Sequence, residues 1–261
     1  LNSSNSFITE GKKVFNKVPE ITIFFWIIKI MATTVGETAA DLLNFNLNWG
    51  LTNTTYVMCV LLLITLFLQF RTKRYIPAIY WLAVVMISVV GTLITDNLVD
   101  NLGVSLVTTT IFFTAALIIT FMAWYFSEKT LSVHSIHTIK RESFYWLAIL
   151  FTFALGTAAG DLASEGLNWG YLNSALIFAA LIAVITIAYY RFKLNAVTAF
   201  WIAYILTRPL GASIGDYLSQ SSDNGGLNLG TVGISTIFLV IILSLVIYLS
   251  KTGRDEIKVE Q

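Results

Sequence analysis

Charge is what this chain lacks most. Only 12% of its 261 residues are Asp, Glu, Lys or Arg, against about 25% in an ordinary soluble domain. A soluble protein of 29.0 kDa with so little charge could not cover its own core. Cysteine is nearly absent too: Cys59 stands alone, which excludes a disulfide scaffold. The net charge is +1 and no dense basic stripe occurs, so nucleic acid is not an expected partner. Phosphate loops, nucleophile elbows and His-Glu-x-x-His motifs are missing, so the expectation is that the protein is not an enzyme. What is abundant is apolar surface. Hydrophobic residues make up 56% of the chain, which excludes disorder, and the mean hydropathy is +0.76. The remaining class is an integral membrane protein, with membrane lipids as its first partners.

Crossing a bilayer takes about 20 apolar residues. Eight runs qualify, near 20–42, 53–70, 76–99, 104–126, 143–163, 171–190, 195–218 and 229–250. They are continuous, not alternating, so the chain reads as all-α and not as a β-barrel. Residues 1–19 are polar, with Lys12, Lys13 and Lys17 and no small-residue cleavage pattern, and do not read as a signal peptide. Fourteen of the sixteen Lys and Arg residues fall before span 1, after span 8, or between spans 2 and 3, 4 and 5, and 6 and 7. By the positive-inside rule both termini are cytoplasmic, as expected of a multi-pass inner (plasma) membrane protein. Only Lys29 and Arg208 fall inside spans.

The chain also repeats itself. Trp26, Trp81, Trp146 and Trp201 each precede Gly36, Gly91, Gly156 and Gly211 by ten residues. Each glycine precedes Asp41, Asp96, Asp161 or Asp216 by five. An Asn-x-Gly follows each time, beginning at Asn48, Asn101, Asn168 and Asn228. Each repeat is therefore a helical hairpin closed on the outer side. The expected layout is a tail at 1–18, a first half of two hairpins at 19–126, a cytoplasmic loop at 127–141, a second half at 142–250 and a tail at 251–261. Every odd helix runs outward, so the repeats are parallel and the two halves pseudo-symmetric. The glycines read as close-approach points between helices, with a helix break at Pro209 as the sharper alternative.

Lys17-Val18-Pro19-Glu20, FFWIIKI at 24–30, GETAAD at 36–41, SVHSIHTIKRE at 132–142 and LTRPLGASIGD at 206–216 carry a family likeness. From 17 to 230 the chain resembles a bacterial family of uncharacterised membrane-anchored proteins built from a repeat of unknown function. The resemblance implies four repeats and a bacterial inner-membrane setting. It implies no activity.

Function is then read from the few charges inside the spans. Glu37, Asp41, Asp96, Asp161 and Asp216 lie within spans or at their ends, where ionisable groups are costly and face a cavity or a partner. Lys29, Thr33, Glu37 and Asp41 are spaced four apart, on one helix face. Two cations against five carboxylates leave an excess of negative charge. Either some carboxylates are protonated or the site takes cations. Hard divalent ions want oxygen ligands, which Asp, Glu, Asn and Thr supply. The expected metal ligands are Glu37, Asp41, Asp161 and Asp216. Asp96, Thr33, Asn48 and Asn168 complete the ion-binding set, and Lys29 and Arg208 hold the empty site together by pairing. The structural alternative is that the repeated Asp residues merely close hairpins. His134 and His137 read as interfacial residues, Cys59 as an apolar filler, and the repeated tryptophans as belt anchors or as packing between repeats.

The expected function is a small secondary transporter moving a cation, such as divalent manganese, coupled to protons. No cofactor is expected beyond a transported metal ion, and a homo-oligomer is compatible with the sequence. One alternative is a non-transporting membrane scaffold or sensor. Another is a membrane-embedded enzyme acting on lipid or quinone, with His134, His137 and Arg141 near a head group.

Overall fold

The computed structural model of the chain describes residues 16–47 and 49–257. Asn48, Lys12, Lys13 and Lys258 lie outside the described residues. Eight helices cross the bundle: α1 (Ile23–Asp41), α2 (Leu51–Arg71), α3 (Pro77–Asp96), α4 (Leu106–Glu128), α5 (Ile139–Asp161), α6 (Tyr171–Phe192), α7 (Ala196–Ser219) and α8 (Thr231–Thr252). All eight are long and apolar enough to span a membrane, and no strand occurs among the described residues. The protein is an eight-helix polytopic membrane protein.

Local chemistry sets the helix starts. Thr22, Ser105, Thr138 and Asn195 accept hydrogen bonds from first-turn amides of α1, α4, α5 and α7. Pro77 opens α3, where its missing amide costs nothing. The turns into α2, α6 and α8 end on Gly50, Gly170 and Gly230 at φ of 73°, 73° and 76°, a backbone shape that disfavours other residues. Asn168 and Asn228 are left-handed as well, at φ 56°. Asn101 is not. It hydrogen-bonds Asn97 and Thr52, so the second Asn-x-Gly is not the structural equivalent of the third and fourth.

Three odd helices do not stop at their Asp. They continue as wider π-helical turns, Leu42–Asn46, Asn97–Asn101 and Leu162–Gly166, with i to i+5 bonds such as Leu167 N–H to the Leu162 carbonyl at 2.8 Å. The spans thus run several residues past the ends expected from hydropathy. In the fourth repeat α7 runs on to Ser219 without a π turn. Pro209 sits inside α7 without breaking it, contrary to the sharper sequence expectation.

The odd helices form the core and the even helices coat it. In α3 72% of the span is buried, in α6 only 11%. α1, α3, α5 and α7 close into a ring, each packed on the next and α7 back on α1. The repeated glycines are the seams. A methyl group on Gly36 would strike Ser88; on Gly91, Phe153; on Gly156, Arg208; on Gly211, Thr33. Each struck residue lies three positions before the glycine of its own helix. Only helices running the same way at the same height repeat one contact four times. Each even helix packs mainly on the odd helix that follows it in sequence, α2 on α3, α4 on α5, α6 on α7, and α8 on α1.

Towards the end that carries the termini, an aromatic tier fills the ring. Phe25 meets Trp81 at 5.6 Å between ring centroids, Tyr80 meets Trp146 at 5.5 Å, Tyr145 meets Trp201 at 6.3 Å and Phe200 meets Trp26 at 5.8 Å. Trp81, Trp146 and Trp201 are deeply buried, at 2%, 3% and 5% exposure, and serve as packing between repeats and not as belt anchors, while Trp26 is half-buried against Phe200.

Candidate ion-binding site

The position after each repeated glycine faces its counterparts across the ring, and there the repeat diverges: Glu37, Thr92, Thr157 and Ala212. Arg208 of α7, fully buried, reaches into this layer. Its Nη2 donates to Glu37 Oε2 at 3.1 Å, to Thr157 Oγ1 at 2.6 Å and to Thr92 Oγ1. Thr92 in turn donates to Glu37 Oε2 at 3.3 Å. Gly156 makes this possible, because any side chain there would collide with the Cβ and Cγ of Arg208.

Next to this knot three carboxylates converge from three helices. Oxygens of Glu37, Asp161 and Asp216 all lie within 4.8 Å of one another. Oxygens bound to one hard divalent ion at about 2.0–2.6 Å can lie up to about 5 Å apart, so the spacing suits a shared cation. No described side chain donates a hydrogen bond to Asp161 or Asp216, and among the described residues Glu37 alone of the three has an ion-pair partner, Arg208. Three close carboxylates with one compensating cation favour taking up either a metal ion or protons.

The other candidates lie elsewhere. Asp41 accepts from Gln220 Nε2 at 3.2 Å and is not in the triad, although the sequence placed it among the metal ligands. Asp96 is half-buried at the end of α3 and also stands outside the triad. Thr33 spends its hydroxyl on the Ile30 carbonyl at 2.5 Å and packs at the α1–α7 seam. Asn168 is exposed in the turn before α6, beside a shallow hollow of about 480 Å³ that Trp169 and Asn173 share. The expected pairing of two buried cations with carboxylates holds for Arg208 and fails for Lys29. Lys29 Nζ sits against the rings of Phe153 and Tyr204, at 4.5 and 4.4 Å from their centroids, with no hydrogen-bond partner among the described residues. It lies two turns from Glu37 along α1, too far to share its carboxylate.

Sequence reasoning missed a second buried polar network, at the end bearing the termini. Lys17 Nζ donates to Glu142 Oε2 at 2.6 Å and to the Phe70 carbonyl at 3.1 Å, and Gln69 Nε2 donates to Glu142 Oε1 at 3.1 Å. Lys17 is therefore a buried structural cation, not merely a tail charge. Tyr75 donates to Asp255 Oδ2 at 2.5 Å. Burial holds the Asp255 carboxyl above its ordinary value against the opposing bond from Tyr75, and burial with Asp255 nearby pushes the Tyr75 phenol up. Nothing in the sequence around Glu142, which follows Lys140 and Arg141, signals a buried partner. His134 approaches Glu20 at 3.6 Å and His137 approaches Arg141 at 3.4 Å, so the two histidines do not form a metal pair.

The profile of a family described as Repeat of Unknown Function (DUF347) matches the chain four times, at residues 24–75, 79–130, 144–195 and 199–255. Each match covers one odd helix and the even helix that follows it. Neither a curated protein nor a solved structure matches the chain.

Proposed function

This chain belongs to that repeat family, and from that premise we propose that it is a small secondary transporter whose cargo is a hard cation, a divalent metal such as manganese, exchanged against protons. The observation that carries the reading is the convergence of Glu37, Asp161 and Asp216 from α1, α5 and α7 with one guanidinium to answer them. Arg208 acts as a tethered stand-in for the cargo. An arriving cation displaces it from Glu37, and protonation of the carboxylates releases the ion. The aromatic tier seals the path towards the termini while the carboxylates lie on the far side of it. With both termini cytoplasmic in an inner membrane, as the distribution of Lys and Arg favours, the site then opens outward. Pro209, next to Arg208, leaves the Ile205 carbonyl without its helical donor, a natural point for α7 to bend.

Reconstituted vesicles test this. Metal flux down an imposed gradient should be accompanied by counter-flow of protons, and Glu37→Gln and Asp216→Asn should each abolish it at unchanged protein yield. Equal flux in vesicles with and without the protein, across manganese, magnesium and calcium, would refute the reading. The Asp41–Gln220 bond favours a second reading, a non-transporting scaffold in which the carboxylates pin turns. Under it the same substitutions lower the folded amount and change no rate.

A further inference from the structure

The middle of the ring holds more unmet donors than the cation reading uses. Lys29 and Arg208 are both fully buried, and both lie against the same phenyl ring, Phe153, at 4.5 Å and 5.5 Å from its centroid. Lys29 Nζ has neither a hydrogen-bond nor an ion-pair partner among the described residues. Among the described residues Arg208 uses only Nη2, and its Nε and Nη1 have no partner. Tyr204 faces Lys29 with its hydroxyl unpartnered as well. Aromatic faces compensate part of a buried ammonium's lost hydration, but they accept no proper hydrogen bond. Two cations sharing one ring also repel each other. Beyond the Nη2 bonds of Arg208, the donors left over here have no acceptor among the described residues, and a cluster of such donors is complementary to an anion.

Neither cation is a feature of the repeat. The positions equivalent to Lys29 are Val84, Ile149 and Tyr204, and those equivalent to Arg208 are Thr33, Ser88 and Phe153. The Arg208 stem fills the Gly156 seam, but its counterparts Thr33, Ser88 and Phe153 fill the other three seams without a charge. We infer that Lys29 and Arg208 form an anion-binding site for one small carboxylate or inorganic monoanion, in a layer next to the carboxylate triad and nearer the termini. Lys29 supplies the charge with no other duty, Arg208 supplies its two unpartnered nitrogens, and the Tyr204 hydroxyl lies at the edge. The anion is either free or the carboxylate of a small zwitterion. This site does not depend on the triad carrying a metal ion.

Thermal unfolding of the purified full-length protein in detergent decides it. Gluconate is replaced at constant ionic strength by chloride, formate or acetate in one arm, and glycine or betaine is added in the other. The expected result is a saturable rise in Tm of a few degrees with a member of one arm, as for any ligand that binds only the folded state. Lys29→Met should raise the Tm without added anion, because a buried polar group without a partner is gone, and should abolish the anion response. Glu37→Gln should keep the anion response while losing any response to manganese, which separates failure of this site from failure of the cation reading. No saturable effect from either arm on the unmodified protein would overturn the inference, as would equal responses in the unmodified protein and Lys29→Met. The first of these outcomes needs no variant to fold.

Discussion

The aromatic tier and the polar layer above it are built by the same four helices, yet they treat the repeat in opposite ways. In the aromatic tier each repeat contributes a tryptophan preceded by Phe or Tyr, and one contact recurs around the ring. In the polar layer the four equivalent positions are Glu37, Thr92, Thr157 and Ala212, and the one cation among them comes from α7 alone. Where the repeat is kept, the residues close the ring. Where it is broken, charges accumulate that closing the ring does not need.

The sharpest way to break the comparison is Arg208→Met. It strips Glu37 of its partner inside the bundle, and losing one member of a buried pair costs about 3–5 kcal/mol. Unfolding in detergent should show that loss, and the double variant Arg208→Met with Glu37→Gln should recover much of it. Additive losses would mean the pair is not coupled. A smaller effect is expected from Gly156→Ala, whose new methyl runs into the Arg208 stem and the Pro209 ring. Overpacking of this kind costs about 1–3 kcal/mol. Gly160→Ala, one turn along the same helix, meets its nearest neighbour at 3.6 Å and should be neutral or slightly stabilising, since alanine suits a helix better. Equal effects at the two glycines would dissociate Gly156 from Arg208. The smallest effect belongs to the tier that keeps the repeat. Tyr80→Phe removes one side of the 2.5 Å Tyr80–Tyr145 hydroxyl contact, at a cost of about 1 kcal/mol. It should leave the responses to manganese and to anions unchanged, and a change in either would tie the tier to the site.

Much of the architecture could be read from the chain. Continuous apolar runs and a fixed Trp-Gly-Asp spacing are one-dimensional signals, and they specified eight helices and four copies. Which helices lie inside was less legible, because an even helix such as α8 and an odd one such as α3 both read simply as apolar. The clue was present in the repeated glycines, Gly36, Gly91, Gly156 and Gly211, which all lie on odd helices. The π turns left no trace, since no residue type announces a bond to i+5 in place of i+4. At the site, spacing along α1 put Lys29 and Glu37 on one face, but whether a lysine meets a carboxylate depends on the helices opposite. Those helices present Phe153 and Tyr204 to Lys29. In the same way nothing near Asp41 and Asp161 separates them in sequence. Gln220, from another repeat, takes the first, and the approach of α1, α5 and α7 gathers the second.

The lacing of even helices onto the following odd helix has a consequence for how the molecule is made. No hairpin buries itself: α2 waits for α3, α4 for α5 and α6 for α7. The last contact, α8 onto α1, joins the last helix of the bundle to the first, with Thr38 and Ser235 meeting at 2.7 Å. Until it forms, one flank of α1 and its threonine stand against lipid or against the insertion machinery. Assembly of this bundle is thus completed by a single closure once α8 is in place, and a chain cut before Thr231 would leave the ring unlatched at its first stave.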